Sequence, residues 1–411
     1  MFKAIIRASI KRFSSPYLSI ANGAILKLIG LNSEIMKKII KLLKYFLLFF
    51  LVVGFEAVGS ITVINKLFYS SRLVSKEIFT LNDKINSIPA ENTSLQRVEL
   101  LIQIDDFVKG SVSGNGFSSR IYSLIKVRLD QALKEISQTQ VPKGKVKIWY
   151  IYNMGVIAKS EDKTIAFDLA GDYVYSNMAD FTKYIDILVI SHFDNDHFNL
   201  SVVKEALKNG VTVIIPGDKI KIMFTMFTGN QIVRDLKGED AVNLIKRRNG
   251  IDSDNFISIK PQEKTIIKGI EITAYPAKHI HNPDEEYSFI DTPVNWYYVN
   301  LSGFKILHTG DGTSFDYQLD FTNKNIDVFI THSTNLDPMT KDTLIKLVPN
   351  AKTILPMHVL ELGHGPDIVN EKHIWYMNYQ SILDDYSNGY YKASLGKTRF
   401  IPMIWGESIL F

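Results

Sequence analysis

Cysteine is absent from the 411-residue chain. No disulfide framework and no thiolate metal site can form, so any transition-metal site must draw on His, Asp and Glu. The absence leaves the redox compartment open, since a thiol-free chain suits the cytosol and the outside of a bacterial cell equally. A G-x-S-x-G elbow and a Gly-rich phosphate cradle are also missing, Gly310-Asp311-Gly312 being too short for the latter, and no repeat of solenoid length is present. Acidic residues are scarce at the amino end: residues 1–80 hold 12 Lys and Arg against 3 Asp and Glu, leaving 35 against 40 for the remainder. The basic excess therefore belongs to an amino-terminal arm. The remainder lacks the cationic surplus that phosphate tracking requires, which disfavours nucleic acid as a partner.

What is present is ordinary globular material, with 46% hydrophobic and 22% charged residues. The length exceeds what one core usually holds, so one large domain with smaller segments at an end is expected. Phe46–Ile64 is an apolar run close to the ~20 residues that cross a bilayer, broken once by Glu56 and preceded by Lys37, Lys38, Lys41 and Lys44. It reads as a single-pass membrane anchor with the amino terminus inside and the main domain outside the cytoplasm. A buried core helix, a signal peptide and an organellar transit peptide are the competing readings, and Glu56 at mid-span costs roughly 2–3 kcal/mol. The expected organisation is a basic cytoplasmic arm over 1–44, an anchor over 45–65, a helical stalk or cap over 66–142 and a catalytic domain over 143–411.

Apolar positions at three- and four-residue spacing, such as Val98, Leu101, Ile102, Ile104 and Phe107, predict helices before about residue 140, with a loop over Gly110–Gly116. From Val141 the composition turns to short β-branched and aromatic runs. Strands are predicted at Ile185–Ile190, Val211–Ile215, Ile270–Ala274, Trp296–Leu301, Lys305–Leu307, Asp327–Ile330 and Thr353–Leu355, with helices at Val202–Asn209 and Lys341–Val348 among them. Strands and helices thus mix, as in an α/β fold.

Several of the nine histidines sit just past the ends of apolar strands, where loops carry reactive groups. The densest group is Ser191-His192-Phe193-Asp194-Asn195-Asp196-His197, four potential ligands within six residues after a buried strand. A divalent cation needs several lone pairs converging at about 2.0–2.2 Å, which alternating side chains on a tight loop supply.

This run resembles the HxHxDH signature of the metallo-β-lactamase superfamily, and the later pieces follow in that superfamily's order. Tyr275-Pro-Ala-Lys-His279 resembles the third ligand motif, Leu307-His-Thr-Gly-Asp311 the strand-end aspartate that bridges two metals, and Leu355-Pro-Met-His358 the last histidine. The resemblance spans about residues 145–405. The Pro-Ala-x-His and Pro-Met-His steps are similar to the branch containing ascorbate-6-phosphate lactonase and N-acyl-phosphatidylethanolamine phospholipase D. Asp194 departs from the pattern, as in the related domains of bacterial DNA-uptake channel proteins. The resemblance implies a four-layer αββα sandwich holding two divalent ions, Zn²⁺ or Mn²⁺. His192, Asp194 and His279 would hold one; Asp196, His197 and His358 the other; Asp311 would lie between them. Asp196, His197 and Asp311 are also the expected catalytic residues. An oxygen donor at 194 shifts the preference toward harder ions such as Mn²⁺.

The implied activity is hydrolysis of a phosphodiester or related ester by a metal-bound hydroxide, on a small-molecule or lipid substrate, with the membrane reached through residues 46–64 as the expected partner. A sugar-acid lactonase, a nuclease and a non-catalytic protein with a decayed site are the alternatives. His281, His308, His332 and His364 are each weighed as substrate- or ligand-supporting groups against ordinary packed or solvated histidines. Asp168 matches a position that supports the His-rich loop. Trp296-Tyr297-Tyr298 and Tyr386, Tyr390 and Tyr391 read as packing.

Overall fold

The computed structural model describes residues 76–113, 116–217, 220–225, 231–260, 262–279, 293–314, 321, 323–333, 348, 350–362, 378–387 and 398–411. The expected arm, the anchor at 46–64, His281, His364, Tyr390, Tyr391 and nearly all of the helix at 341–348 lie outside them. Glu77–Phe411 form one compact unit.

Two helices open the described chain after helical residues 76–87: α1 (Leu95–Lys109) and α2 (Ser119–Gln138). α2 buries Ile121, Leu124, Ile125, Leu129, Ala132 and Ile136 along one stripe and packs on the first strand. Fifteen strands of two sheets follow. They are β1 (Lys147–Tyr152), β2 (Gly155–Lys159), β3 (Thr164–Phe167), β4 (Ile187–Val189), β5 (Thr212–Pro216), β6 (Phe256–Ile259), β7 (Lys264–Ile267), β8 (Ile270–His279), β9 (Pro293–Leu301), β10 (Phe304–His308), β11 (Gly312–Ser314), β12 (Ile326–His332), β13 (Ala351–Met357), β14 (Arg399–Phe400) and β15 (Ser408–Leu410). Helices α3 (Leu200–Lys208) and α4 (Gly238–Asn249) pack on β5 and β6, and α5 (Tyr379–Ser387) packs on α1. Asn199 caps α3, its side chain accepting from Val202 N at 3.0 Å.

The first sheet runs β6-β5-β4-β3-β2-β1-β15 and the second β7-β8-β9-β10-β12-β13-β14, with β11 on β8. Both are mixed. β3 to β6 are mutually parallel beside an antiparallel β3-β2-β1-β15 group, and β10, β12, β13 and β14 are parallel beside antiparallel β7 to β10. The sheets face one another. Phe167 of β3 stacks on His308 of β10 with centroids 4.7 Å apart, and Tyr297 Oη of β9 donates to Ile190 O past β4 at 3.1 Å. β9 shows why its aromatics alternate: Tyr297 turns to the first sheet, while Trp296 and Tyr298 bury in a separate cluster with Phe321 and Phe329. This two-sheet α/β architecture is the one the sequence predicts; helices are described against the first sheet.

The expectation of a single-pass membrane protein is corrected. No helix among the described residues is long and apolar enough to cross a membrane. The longest of the named helices, the 20-residue α2, carries Arg120, Lys126, Arg128, Asp130, Lys134 and Glu135, so its apolar residues form a stripe for a protein core rather than a jacket for lipid.

Candidate metal centre

Parallel strands end together, and the loops beyond their carboxyl ends bring the candidate ligands to one place. β4 runs into Ser191-His192. β10 leads to Asp311, β12 ends on His332 and β13 leads to His358. His279 arrives differently, as the last residue of β8, which extends past the predicted Ala274. A register shift between Lys278 and His279, where β8 pairs with β11, sets His279 opposite Gly312 and so beside Asp311. Two glycines permit the close approach. Gly310 has φ +51, and a Cβ there would overlap the Ser191 side chain; a Cβ at Gly312 would meet Trp296 Nε1, which donates to Gly312 O at 3.0 Å.

The seven residues expected as ligands form two donor groups, Asp196, His197, Asp311 and His358 in one and His192, Asp194 and His279 in the other, with ligand atoms within 4.8 Å of one another in each. Asp311 Oδ2 joins them. It lies 3.1 Å from His197 Nε2, 3.2 Å from His279 Nε2, 3.6 Å from His358 Nε2 and 3.9 Å from His192 Nε2. Asp196 Oδ2 is 3.1 Å from both His197 Nε2 and His358 Nε2, and Asp194 Oδ2 is 3.2 Å from His192 Nε2. All seven are buried except Asp194, whose side chain is 21% exposed and marks the open side.

The donor set fits divalent ions. His192 Nε2, His197 Nε2 and Asp311 Oδ1 are buried and make no hydrogen bond among the described residues, although carboxylates stand within about 3 to 4 Å of each nitrogen. The lone pairs aim at shared space and not at one another, an arrangement costly without a cation. Electrostatics point the same way. Burial opposes charge on His197, yet Asp196, Asp311 and Asp168 hold its pKa well above the usual imidazole value. Burial likewise raises Asp311 and Asp194, but the surrounding imidazoles win, leaving Asp311 well below the carboxylate range and Asp194 at about 2. A field that draws protons onto buried imidazoles also draws metal cations.

Behind the donors stands a supporting layer. Asp168, at φ +44, accepts from Ser191 N and Ser191 Oγ at 2.7 Å each, and its Oδ2 lies 3.0 Å from His197 Nδ1. The loop support expected of it is present. Asn153, in the β1–β2 turn at φ +47, donates from Nδ2 to Asp196 Oδ2 at 3.1 Å. Sequence reasoning missed it; the only signal was a polar residue before Met154-Gly155 in a hairpin turn. His308 is held away from the donor groups, with Nε2 2.9 Å from Met154 O, while Gly310 N donates to its Nδ1 at 3.2 Å. Burial lowers its pKa, so it is a neutral packing histidine. His332 lies at the rim, Nε2 4.0 Å from Asp311 Oδ1 and its ring 4.3 Å from that of His358. Burial and the neighbouring His358 push its pKa well down.

Facing mixed sheets with this His and Asp cluster at their strand ends define a two-sheet α/β protein with a candidate divalent-metal centre. A family model described as β-lactamase superfamily domain matches residues 148–358, half of the chain, and the chain belongs to that superfamily. Among curated proteins, none matches. Among solved structures, the chain is similar to the metallo hydrolase Igni18 of Ignicoccus hospitalis, at 18% identity over 65% of this chain and 98% of that one, TM-score 0.40. It is also similar to the metallo-β-lactamase fold protein YhfI of Bacillus subtilis, at 12% identity over 66% and 100%, TM-score 0.40.

Proposed function

We propose that the chain hydrolyses a phosphodiester or related ester of a small molecule or lipid at two divalent ions, Zn²⁺ or Mn²⁺, held by His192, Asp194 and His279 on one side and Asp196, His197 and His358 on the other. The observation that carries this reading is Asp311, whose single oxygen Oδ2 faces imidazoles of both groups. Two ions so held supply Lewis acidity toward a phosphoryl or carbonyl oxygen and bring the pKa of water toward neutrality.

The chain's own residues do the rest. Asp168 fixes the His197 ring through Nδ1 and ties it to the Ser191 backbone, so that Nε2 stays turned to Asp196 and Asp311. Asn153 holds the Asp196 carboxylate by donating to it. The partly exposed Asp194 lies where substrate enters from solvent. The Pro-Ala-x-His and Pro-Met-His steps support the lactonase and phospholipase branch over the nuclease one, as does the acidic balance of residues 81–411.

The test is metal analysis of the full chain with hydrolysis of bis-p-nitrophenyl phosphate by wild type and His197→Ala. About two ions per chain and activity lost in the variant support the reading. One ion or none, with no turnover after Mn²⁺ or Zn²⁺ is added, raises the lactonase and non-catalytic alternatives above it.

A further inference from the structure

The two donor groups are backed differently by the protein behind them. Where Asp196, His197 and His358 meet, a carboxylate stands behind each imidazole: His197 Nδ1 hydrogen-bonds with Asp168 Oδ2 at 3.0 Å, while His358 Nδ1, which makes no hydrogen bond among the described residues, lies at ion-pair distance, 3.5 Å, from Glu361 Oε2. In the other group the second nitrogen of His192 meets a hydroxyl, Ser191 Oγ at 2.9 Å, and the Asp194 side chain is 21% exposed. A carboxylate behind a ligating imidazole fixes its tautomer, aims its ring and raises its basicity, and losing it typically costs about 10–100-fold in metal affinity.

Glu361 is a conspicuous residue to find where it is. Its side chain is fully buried in the otherwise apolar run Val359-Leu360-Glu361-Leu362, three residues after His358, and a buried carboxylate is costly unless paired. The backbone curls sharply to bring it there, with His358 at φ +62 and Leu360 at φ +56, both left-handed and neither glycine. The curl is tied down on three sides. His358 N donates to Asn153 O at 3.1 Å, Ser333 Oγ to His358 O at 3.2 Å, and Leu362 N to Tyr152 Oη at 3.0 Å. Strain that is over-determined in this way belongs to a site where position matters.

We propose that Glu361 is a positioning residue for His358. With Asp168 behind His197, it makes the half-site of Asp196, His197 and His358 the tighter and first filled, and leaves the half-site of His192, Asp194 and His279 exchangeable. The inference rests on the two-ion reading above.

The test uses full-chain protein stripped with a chelator, to which Mn²⁺ is added under calorimetry, for wild type, Glu361→Gln, Glu361→Asp and Asp194→Asn. Wild type is expected to bind in two classes at least about tenfold apart. Glu361→Gln weakens the tight class by about 10–100-fold and spares the weak one; Asp194→Asn weakens the weak class alone. Glu361→Asp, which keeps the charge but shortens its reach, weakens the tight class less than Gln and stands in should the Gln variant not fold. Equal classes in wild type, or a tight class unmoved in both Glu361 variants, overturn the proposal. So does a lower melting temperature of the stripped variant with unchanged affinity, which makes Glu361 a packing residue. A wild type that binds no ion overturns the two-ion reading itself.

Discussion

Two clusters of buried charge among the described residues are built on opposite plans. Between α1 and the carboxy-terminal segment, Arg97 and Glu407 form a two-pronged pair at 2.7 Å for each prong. Arg97 Nη2 also donates to Pro402 O at 2.9 Å, and Ile404 N to Glu407 Oε2 at 2.7 Å. There, charge meets opposite charge within the protein. At the strand ends, carboxylates and imidazoles crowd together with His192 Nε2, His197 Nε2 and Asp311 Oδ1 making no hydrogen bond among the described residues. A buried cluster that balances itself fastens parts of a fold; one that stays out of balance is shaped for a visitor carrying the missing charge.

The sharpest way to break the comparison is to disturb the unbalanced cluster. Chelation of the metal, or His197→Ala, should bring hydrolysis to background while the protein stays folded, and re-adding ion at about 100 times its Kd should stabilise wild type by about 2.7 kcal/mol, read as a rise in Tm. Arg97→Ala should do the reverse. Stranding Glu407 in the interior costs about 3–5 kcal/mol by denaturant unfolding, with the metal content of the folded fraction unchanged. Gly310→Ala joins both kinds of damage in smaller measure, because a side chain at φ +51 would press on Ser191. A loss of about 1–3 kcal/mol is expected, with weaker metal binding as the His192 loop shifts.

The smallest effect concerns a third buried charge. Asp105 of α1 accepts from Tyr379 N at 3.0 Å and Gln380 N at 2.8 Å at the start of α5. Burial outweighs those bonds and raises its pKa from 3.8 to about 6. The folded state therefore holds a proton that the unfolded chain has released, so this group's contribution to stability is full below about pH 4 and declines as pH rises to about 6. Asp105→Asn should flatten the dependence of Tm on pH across that window and leave it unchanged elsewhere; an unaltered slope would place the effect on another group.

Much of the site was legible because metal ligation needs particular side chains at particular spacings. His192, Asp194, Asp196 and His197 lie on one loop, and the approach to His279, Asp311 and His358 was marked by apolar strands a few residues before each. The strands themselves were found nearly in place, although β8 continues five residues beyond the predicted Ala274 to carry His279, and β9 begins at Pro293 instead of Trp296. Pairing in the sheet extended both, and pairing is not a property of a local run. Asn153 and Glu361 were not singled out, because their roles depend on which distant residue each meets. The apolar run at 46–64 lies outside the described residues; its hydropathy suggested a membrane protein, whereas no described helix is long and apolar enough to cross a membrane.

The pairing of β15 with β1 has a consequence for how the molecule comes into being. Ser408, Ile409 and Leu410 lie against Trp149, Ile148 and Lys147, and Phe411 N donates to Val146 O at 2.8 Å. The edge of β1 therefore stays open until its partner strand, more than 250 residues later in the sequence, has been made and has folded back onto it. An uncovered edge strand is a template for pairing with another chain, so a polypeptide without residues 408–411 is exposed to self-association in a way that one carrying them is not.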